Sequence, residues 1–264
     1  MSKTIGIVSL KGGVGKTSVV ASLGAALADF NKKILLIDGN LSAPNLGLHL
    51  NMVEPPATLH HVLRGSVNIK DAVYPFNNFD VIPSSIFNKN NVNPLKLKDK
   101  IKSLKRKYDV ILIDSSPALN DETLAVMLAS DEIFVVTTPD VPTLSATIKA
   151  IRIAKKRGVP ISGLILNKLY NKKFELSFED IESTAGVPIM AAIPYDIAVL
   201  KSLASFTPFT LYKPNSEGSD EYRKLAAVLI GEKYKPVRLK SLFGWTSPKR
   251  QDINKVIFYE GIFK

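Results

Sequence analysis

Residues 10 to 17 read LKGGVGKT, between an apolar run that ends at Ser9 and a stretch patterned as a helix. Glycines at 12, 13 and 15 let the backbone turn sharply, and in a strand-to-helix turn they let several N–H groups converge on one anion at a helix N-terminus. A lysine and a threonine directly after the last glycine add a point charge and a hydroxyl at the same place. This pattern is a phosphate-binding loop, and it restricts the chain to folds that set a helix N-terminus against the end of a strand. Gly12, Gly13, Val14, Gly15, Lys16, Thr17 and Ser18 are therefore the candidate cofactor-binding residues. Lys16 suits the β- and γ-phosphates of a nucleoside triphosphate, and the Thr17 hydroxyl suits Mg2+.

The remaining pattern agrees with such a fold. Short β-branched apolar runs at 4–9, 33–37, 79–82, 110–113, 133–136, 164–166 and 189–193 alternate with helical patterns at 16–29, 58–64, 95–106, 121–129, 143–157, 174–184, 196–204 and 218–230. Strand and helix in alternation predict a parallel sheet. Runs that are apolar throughout, without alternation, predict strands covered on both faces. The expected fold is α/β, a doubly wound, mostly parallel sheet with helices on both faces, whose ligand site lies at the carboxyl ends of the strands.

Composition narrows the chemistry. The chain has no cysteine, which excludes disulfides, Cys-ligated zinc or iron–sulfur clusters and thiol nucleophiles within it. No apolar run approaches the ~18 residues that span a bilayer, and Lys11 interrupts the N-terminal apolar stretch, so a cytoplasmic protein is expected. His49, His60 and His61 have no metal-ligand spacing and read as core or surface histidines. The net charge of +11 is uneven: residues 232–264 hold eight Lys/Arg against three acids. With Pro236 and Pro248 interrupting any continuous helix, residues 232–264 read as a basic appendage of short segments on a domain spanning 1–231. A basic tail attracts polyanions of every kind, lipid surfaces and nucleic acids alike.

The loop departs from the common phosphate-loop pattern in having Leu10 at its first glycine and a second lysine, Lys11. In this it resembles the deviant-Walker MinD/ParA family of ATPases, whose signature is KGGxGKT. The resemblance covers about residues 1 to 231. It implies a homodimer in the ATP state, with Lys11 reaching the partner's nucleotide as a charge given in trans. It also implies that Asp38, in the segment LLIDGNLSAPNLGLHL, belongs to the Mg2+ and water shell, with Asn45 a switch asparagine. Asp114, at the end of the Walker B-like strand 110–114, becomes the second metal carboxylate, followed by a switch-like Ser115-Ser116-Pro117. Asn167, Pro194 and Asp196 then take the adenine and ribose side.

Asn40 departs from the family, which usually has an aspartate there associated with the attacking water. Asparagine can orient a water but cannot accept its proton, so the expectation is normal ATP binding and slow, partner-stimulated hydrolysis by a catalytic set of Lys11, Lys16, Asp38 and Asn40. In the tail, residues 235–245 (KPVRLKSLFGW) place Leu239, Leu242 and Phe243 on one side with basic residues around them. That pattern suits a helix lying in a membrane surface and resembles the membrane-targeting end of MinD. The implied role is spatial positioning, such as division-site placement, with the protein peripheral at the cytoplasmic face of the membrane and an unidentified activating partner. The alternative is a ParA-like protein that binds DNA nonspecifically, to which the eight Lys/Arg between Lys89 and Lys107 would contribute.

Overall fold

The computed structural model describes residues 2–87, 92–232 and 249–263. The segment 235–245 lies outside them. In chain order the elements are β1 (Lys3–Val8), α1 (Lys16–Ala28), β2 (Ile34–Asp38), α2 (Leu46–His49), α3 (Leu59–Arg64), β3 (Tyr74–Phe76), β4 (Phe79–Ile82), α4 (Leu97–Ile101) and β5 (Val110–Asp114). There follow α5 (Asp121–Ala129), β6 (Glu132–Thr137), α6 (Val141–Lys156), β7 (Ile161–Leu169), α7 (Phe178–Ala185), β8 (Ile189–Pro194), α8 (Ala198–Ala204), α9 (Phe209–Tyr212), α10 (Glu217–Leu229) and α11 (Arg250–Phe263). They build one sheet of eight strands in the order β3-β4-β2-β5-β1-β6-β7-β8, parallel except for the β3–β4 pair.

Apolar residues on consecutive positions of a strand serve opposite faces of the sheet. Leu35 and Ile37 belong to a core beneath α3, α4, α5 and α6, whereas Ile34 and Leu36 join the core beneath α1 and α10. Both faces are dry, which is why the strands read as unbroken apolar runs. Side-chain caps set helix starts: Asn120 accepts from Thr123 N–H, Asp140 from Thr143 N–H and Ser216 from Ser219 N–H, each satisfying an amide that the first helical turn leaves free. Among the described residues no helix is long and apolar enough to cross a membrane.

Three stretches differ from the sequence reading. β3 was not expected; Asn77, at φ 49°, makes the tight turn that folds Tyr74–Phe76 back on β4, and Pro75 is tolerated because β3 is an edge strand. The helix expected at 95–106 divides into a 3-10 turn at Pro94–Lys96, α4, and a 3-10 turn at Leu104–Arg106. Its buried Leu97, Ile101 and Leu104 still share one face.

The tail's end is the largest difference, because Arg250–Phe263 is one continuous helix packed on the domain instead of short segments. Pro248 precedes the helix and so interrupts none of its hydrogen bonds. α11 lies along β8 and α10. Asn254 Nδ2 donates to the Ile189 carbonyl at 2.8 Å, and Lys255 Nζ donates to Glu221 Oε2 at 2.8 Å with both side chains about 5% exposed or less. Phe258 packs on the core that includes Ile5 and Tyr222, and the Lys3 ammonium lies 5.7 Å from the Phe258 ring centre and 5.9 Å from that of Phe263.

Candidate functional site

Strand register brings the two candidate carboxylates together. β2 and β5 are paired so that Asp38 stands opposite Asp114 at the carboxyl ends of both strands, and both are 0% exposed. β1 ends beside them, and the loop after it wraps over the strand ends into α1. The wrap needs glycine at two positions. Gly13 (φ +79°) and Gly15 (φ +87°) have left-handed backbone, and any Cβ on Gly15 would run into the Asn167 amide. Asn167 holds that position because its Nδ2 donates to the Val14 carbonyl at 2.8 Å. Lys168 Nζ donates to the Gly13 carbonyl at 2.7 Å. The end of β7 thus braces the loop from outside.

The two loop lysines are placed in opposite ways. Lys16 is buried, its ammonium 2.7 Å from Asp114 Oδ1 and also donating to the Ser115 carbonyl. The Thr17 hydroxyl donates to Asp114 Oδ2 at 2.6 Å. Lys11, by contrast, is exposed, and Asp140 feels its charge.

Asp38 takes three backbone amides: Asn40 N–H at 3.2 Å on Oδ1, and those of Asn45 and Leu46 at 3.1 and 3.0 Å on Oδ2. Even so, its pKa is raised from 3.8 to about 7, first by burial and then by the charge of Asp114, against the pull of those amides and of Lys16. Asn40 gives its Nδ2 to the Ala43 carbonyl, and its buried Oδ1 has no partner among the described residues. Asn45 caps nothing with its side chain, which donates to the Ala43 carbonyl at 2.8 Å.

The phosphate loop, Asn40 and Asn45 line one cavity of about 440 Å³, within the range of small-molecule sites. Residues 11–18, Asn40, Asn45 and Pro117 border it, as do Asn167, which touches the loop, and Pro194 and Asp196. Asp196 is held there by Lys213 Nζ at 2.7 Å and by the Ala198 N–H at 2.8 Å. Asp38 and Asp114 lie beneath the cavity floor. His49, read from the sequence as a core or surface histidine, also lines the cavity, as do Lys168, Leu200 and Leu203, which were not singled out; Lys168 follows Asn167 directly, and that adjacency was the available signal.

Among the described residues there is no cluster of three or more His, Cys, Asp or Glu that could hold a metal alone. Two carboxylates and a hydroxyl suit Mg2+, which binds through one or two carboxylates, phosphate oxygens and waters. Charge points the same way: among the described residues Lys16 is the one buried cation bonded to this pair, so Asp38 and Asp114 are undercompensated, and would be more so were Lys16 to turn to a phosphate. A divalent cation beside them restores the balance.

The profile of a family described as an AAA domain matches residues 2–158. An uncharacterized ATP-binding protein of Methanocaldococcus jannaschii is 35% identical over 237 residues, 89% of this chain and 90% of the relative. The crystal structure of the Pyrococcus furiosus cell division ATPase MinD superposes with a TM-score of 0.81 at 39% identity, covering 86% of this chain and 97% of that one. The septum site-determining protein MinD of Pyrococcus horikoshii, solved as a complex with Mg-ADP, also gives 0.81, at 37% identity over 87% of this chain and 96% of that one.

Proposed function

The chain belongs to the MinD/ParA family of P-loop ATPases, and from that premise we propose that it is a switch that pairs on ATP, engages a membrane surface and resets by slow hydrolysis. As a MinD/ParA-type ATPase it uses ATP and Mg2+. Gly12, Gly13, Val14, Gly15 and Ser18 present the loop and the first turn of α1 to the phosphates. Lys16 exchanges Asp114 for the β- and γ-phosphates. Thr17, Asp38 and Asp114 hold Mg2+, which when bound offsets the charge of the phosphates and of both carboxylates. Asn167, Pro194 and Asp196 receive the adenosine end.

The observation that carries the switch is the division between the lysines. Lys16 is buried inside its own site, whereas Lys11 is exposed at its mouth and free to serve a second copy. Tyr170 and Phe174, beside Lys11 in a neighbouring hollow, and Tyr195 and Leu200, in the cavity lining, are large exposed side chains around that mouth, with the Tyr170 and Tyr195 rings stacked at 4.7 Å. A second copy would bury them. Asn40 Oδ1, buried and without a partner among the described residues, can accept a hydrogen bond from the attacking water but cannot take its proton. Because phosphoryl transfer depends mostly on positioning and charge, turnover is slow without being abolished, and an activating partner accelerates it.

Residues 1–231 form the ATPase domain in this reading. The basic-apolar segment 235–245 is the membrane contact, weak alone and strengthened by doubling in the dimer. Its role in the cell is spatial positioning, at the division site or a related pole-defining system. Truncation after Gly231 would be a poor test, since it also strips α11 from β8. The better variant is Leu242→Glu/Phe243→Glu in the full chain, assayed by co-sedimentation with anionic liposomes and with DNA in ATP or ADP. Lipid pelleting that needs both ATP and the apolar pair supports the proposal. Salt-sensitive DNA pelleting indifferent to that pair replaces the membrane with nucleic acid, as in the ParA branch. A monomer that persists in saturating Mg-ATP, by analytical ultracentrifugation, refutes the switch itself.

A further inference from the structure

The chain has three histidines, and two of them have a local structural task. His60 Nδ1 accepts from the Ser85 N–H at 3.2 Å. His61 Nδ1 accepts from the Thr58 N–H at 3.2 Å, closing a capping box at the start of α3. His49, the last residue of α2, has no such bond. Its Nδ1 is buried from solvent and has no hydrogen-bond partner among the described residues. An unmade hydrogen bond on a buried polar atom is unfavourable, and such atoms are uncommon enough in folded proteins to need a reason.

The surroundings supply one. His49 borders the same cavity as Lys16, Thr17 and Ser18, and also a smaller void between α1 and the α8–α9 segment whose walls include Ser18, Ser22, Ser202 and Leu203. It therefore stands on the Ser18 side of the cavity. The ring feels both Asp114 and Lys16, and burial, the largest influence, lowers its pKa below 6.5. It is neutral at pH 7, with one N–H to give. Its place is set by the metal carboxylate: Asp38 Oδ2 takes the first amides of α2, and the His49 N–H donates to the Asn45 carbonyl at 3.0 Å one turn later.

We infer that His49 is a nucleotide contact, its ring turning when the nucleotide binds so that the Nδ1–H, now buried, donates to an oxygen acceptor on the Ser18 side of the cavity. This rests on the reading that residues 12–18 hold the phosphates. The acceptor is either a phosphate oxygen or a ribose oxygen, and the two are separable by ligand.

The test is titration calorimetry of the full chain with Mg-ADP and with Mg-tripolyphosphate, using wild type, His49→Phe, His49→Asn and Lys16→Ala. His49→Phe should weaken Mg-ADP about tenfold, the effect of one lost hydrogen bond. His49→Asn, which can place an N–H near the Nδ1 position, should stay within about threefold. An equal loss for tripolyphosphate assigns the acceptor to the phosphates, and an unchanged tripolyphosphate affinity assigns it to the ribose.

Binding by His49→Phe at wild-type strength, with Lys16→Ala defective, overturns the His49 contact and leaves the phosphate site standing. Normal binding by Lys16→Ala overturns the site reading beneath it. Ring 1H–15N spectra give a readout that does not depend on affinity. The signal missing from His49→Asn should move on adding Mg-ADP while those of His60 and His61 stay. Should the variants fail to fold, a wild-type spectrum in which no histidine responds to Mg-ADP is sufficient to overturn the contact.

Discussion

Replacing Lys255 with methionine tests how firmly α11 belongs to the domain. Lys255 Nζ lies 2.8 Å from Glu221 Oε2 and 3.3 Å from Asp252 Oδ1; Lys224 reaches Glu221 at 3.3 Å and Asp252 at 3.4 Å. Two cations and two carboxylates balance. The Lys255–Glu221 half is buried, whereas Lys224 and Asp252 are a quarter to a third exposed. Removing one partner of a fully buried pair costs about 3–5 kcal/mol, while exposed pairs are worth about 0–1 kcal/mol. Glu221 keeps Lys224, and Asp252 can rehydrate, so the loss should fall between these limits, at about 2–3 kcal/mol.

For a chain of this size that is a Tm lower by about 5–10 °C, measured by calorimetry without nucleotide. Lys255→Met/Glu221→Leu, which removes both buried charges, should recover much of the loss because no uncompensated carboxylate remains. A single variant that melts within a degree of wild type, or a double variant no better than the single, would refute the buried pair as the fastening of α11.

Two further outcomes follow from the site. Asp38, raised from 3.8 to about 7, binds its proton more tightly folded than unfolded, so its contribution to stability is fully present below pH 3.8 and is lost as pH rises through about 7. At pH 8 its ionised form costs the nucleotide-free fold up to about 4 kcal/mol. The Tm difference between Asp38→Asn and wild type should therefore be more favourable to the variant at pH 8 than at pH 5, and a difference independent of pH would contradict the raised pKa. Asn40→Asp should raise steady-state phosphate release at least severalfold with Mg-ATP affinity within about threefold; equal turnover would mean that Asn40 does not limit hydrolysis.

The phosphate loop, the alternation of strands and helices and the two-sided burial of the sheet were legible in the chain because each is a local pattern. Glycine in a left-handed turn and apolar residues at consecutive strand positions depend on their neighbours and little else. β3 escaped notice because three residues including a proline make a weak strand pattern, although the Asn77-Asn78 pair was a turn signal. α11 was obscured because its buried residues, Gln251 and Lys255, are polar, and the burial of Lys255 depends on Glu221 of α10, 34 positions away.

By itself the sequence determined that a phosphate-binding loop joins a buried strand to a helix, and that two aspartates end apolar strands. Which strands are neighbours was beyond it. Asp38 and Asp114 share a floor because β2 lies beside β5 in register, Lys16 meets a carboxylate 98 positions away, and His49 reaches the cavity because a four-residue helix hangs from Asp38. Those are contacts between segments distant along the chain, chosen by how the sheet packs as a whole, and no local pattern of residue types encodes them.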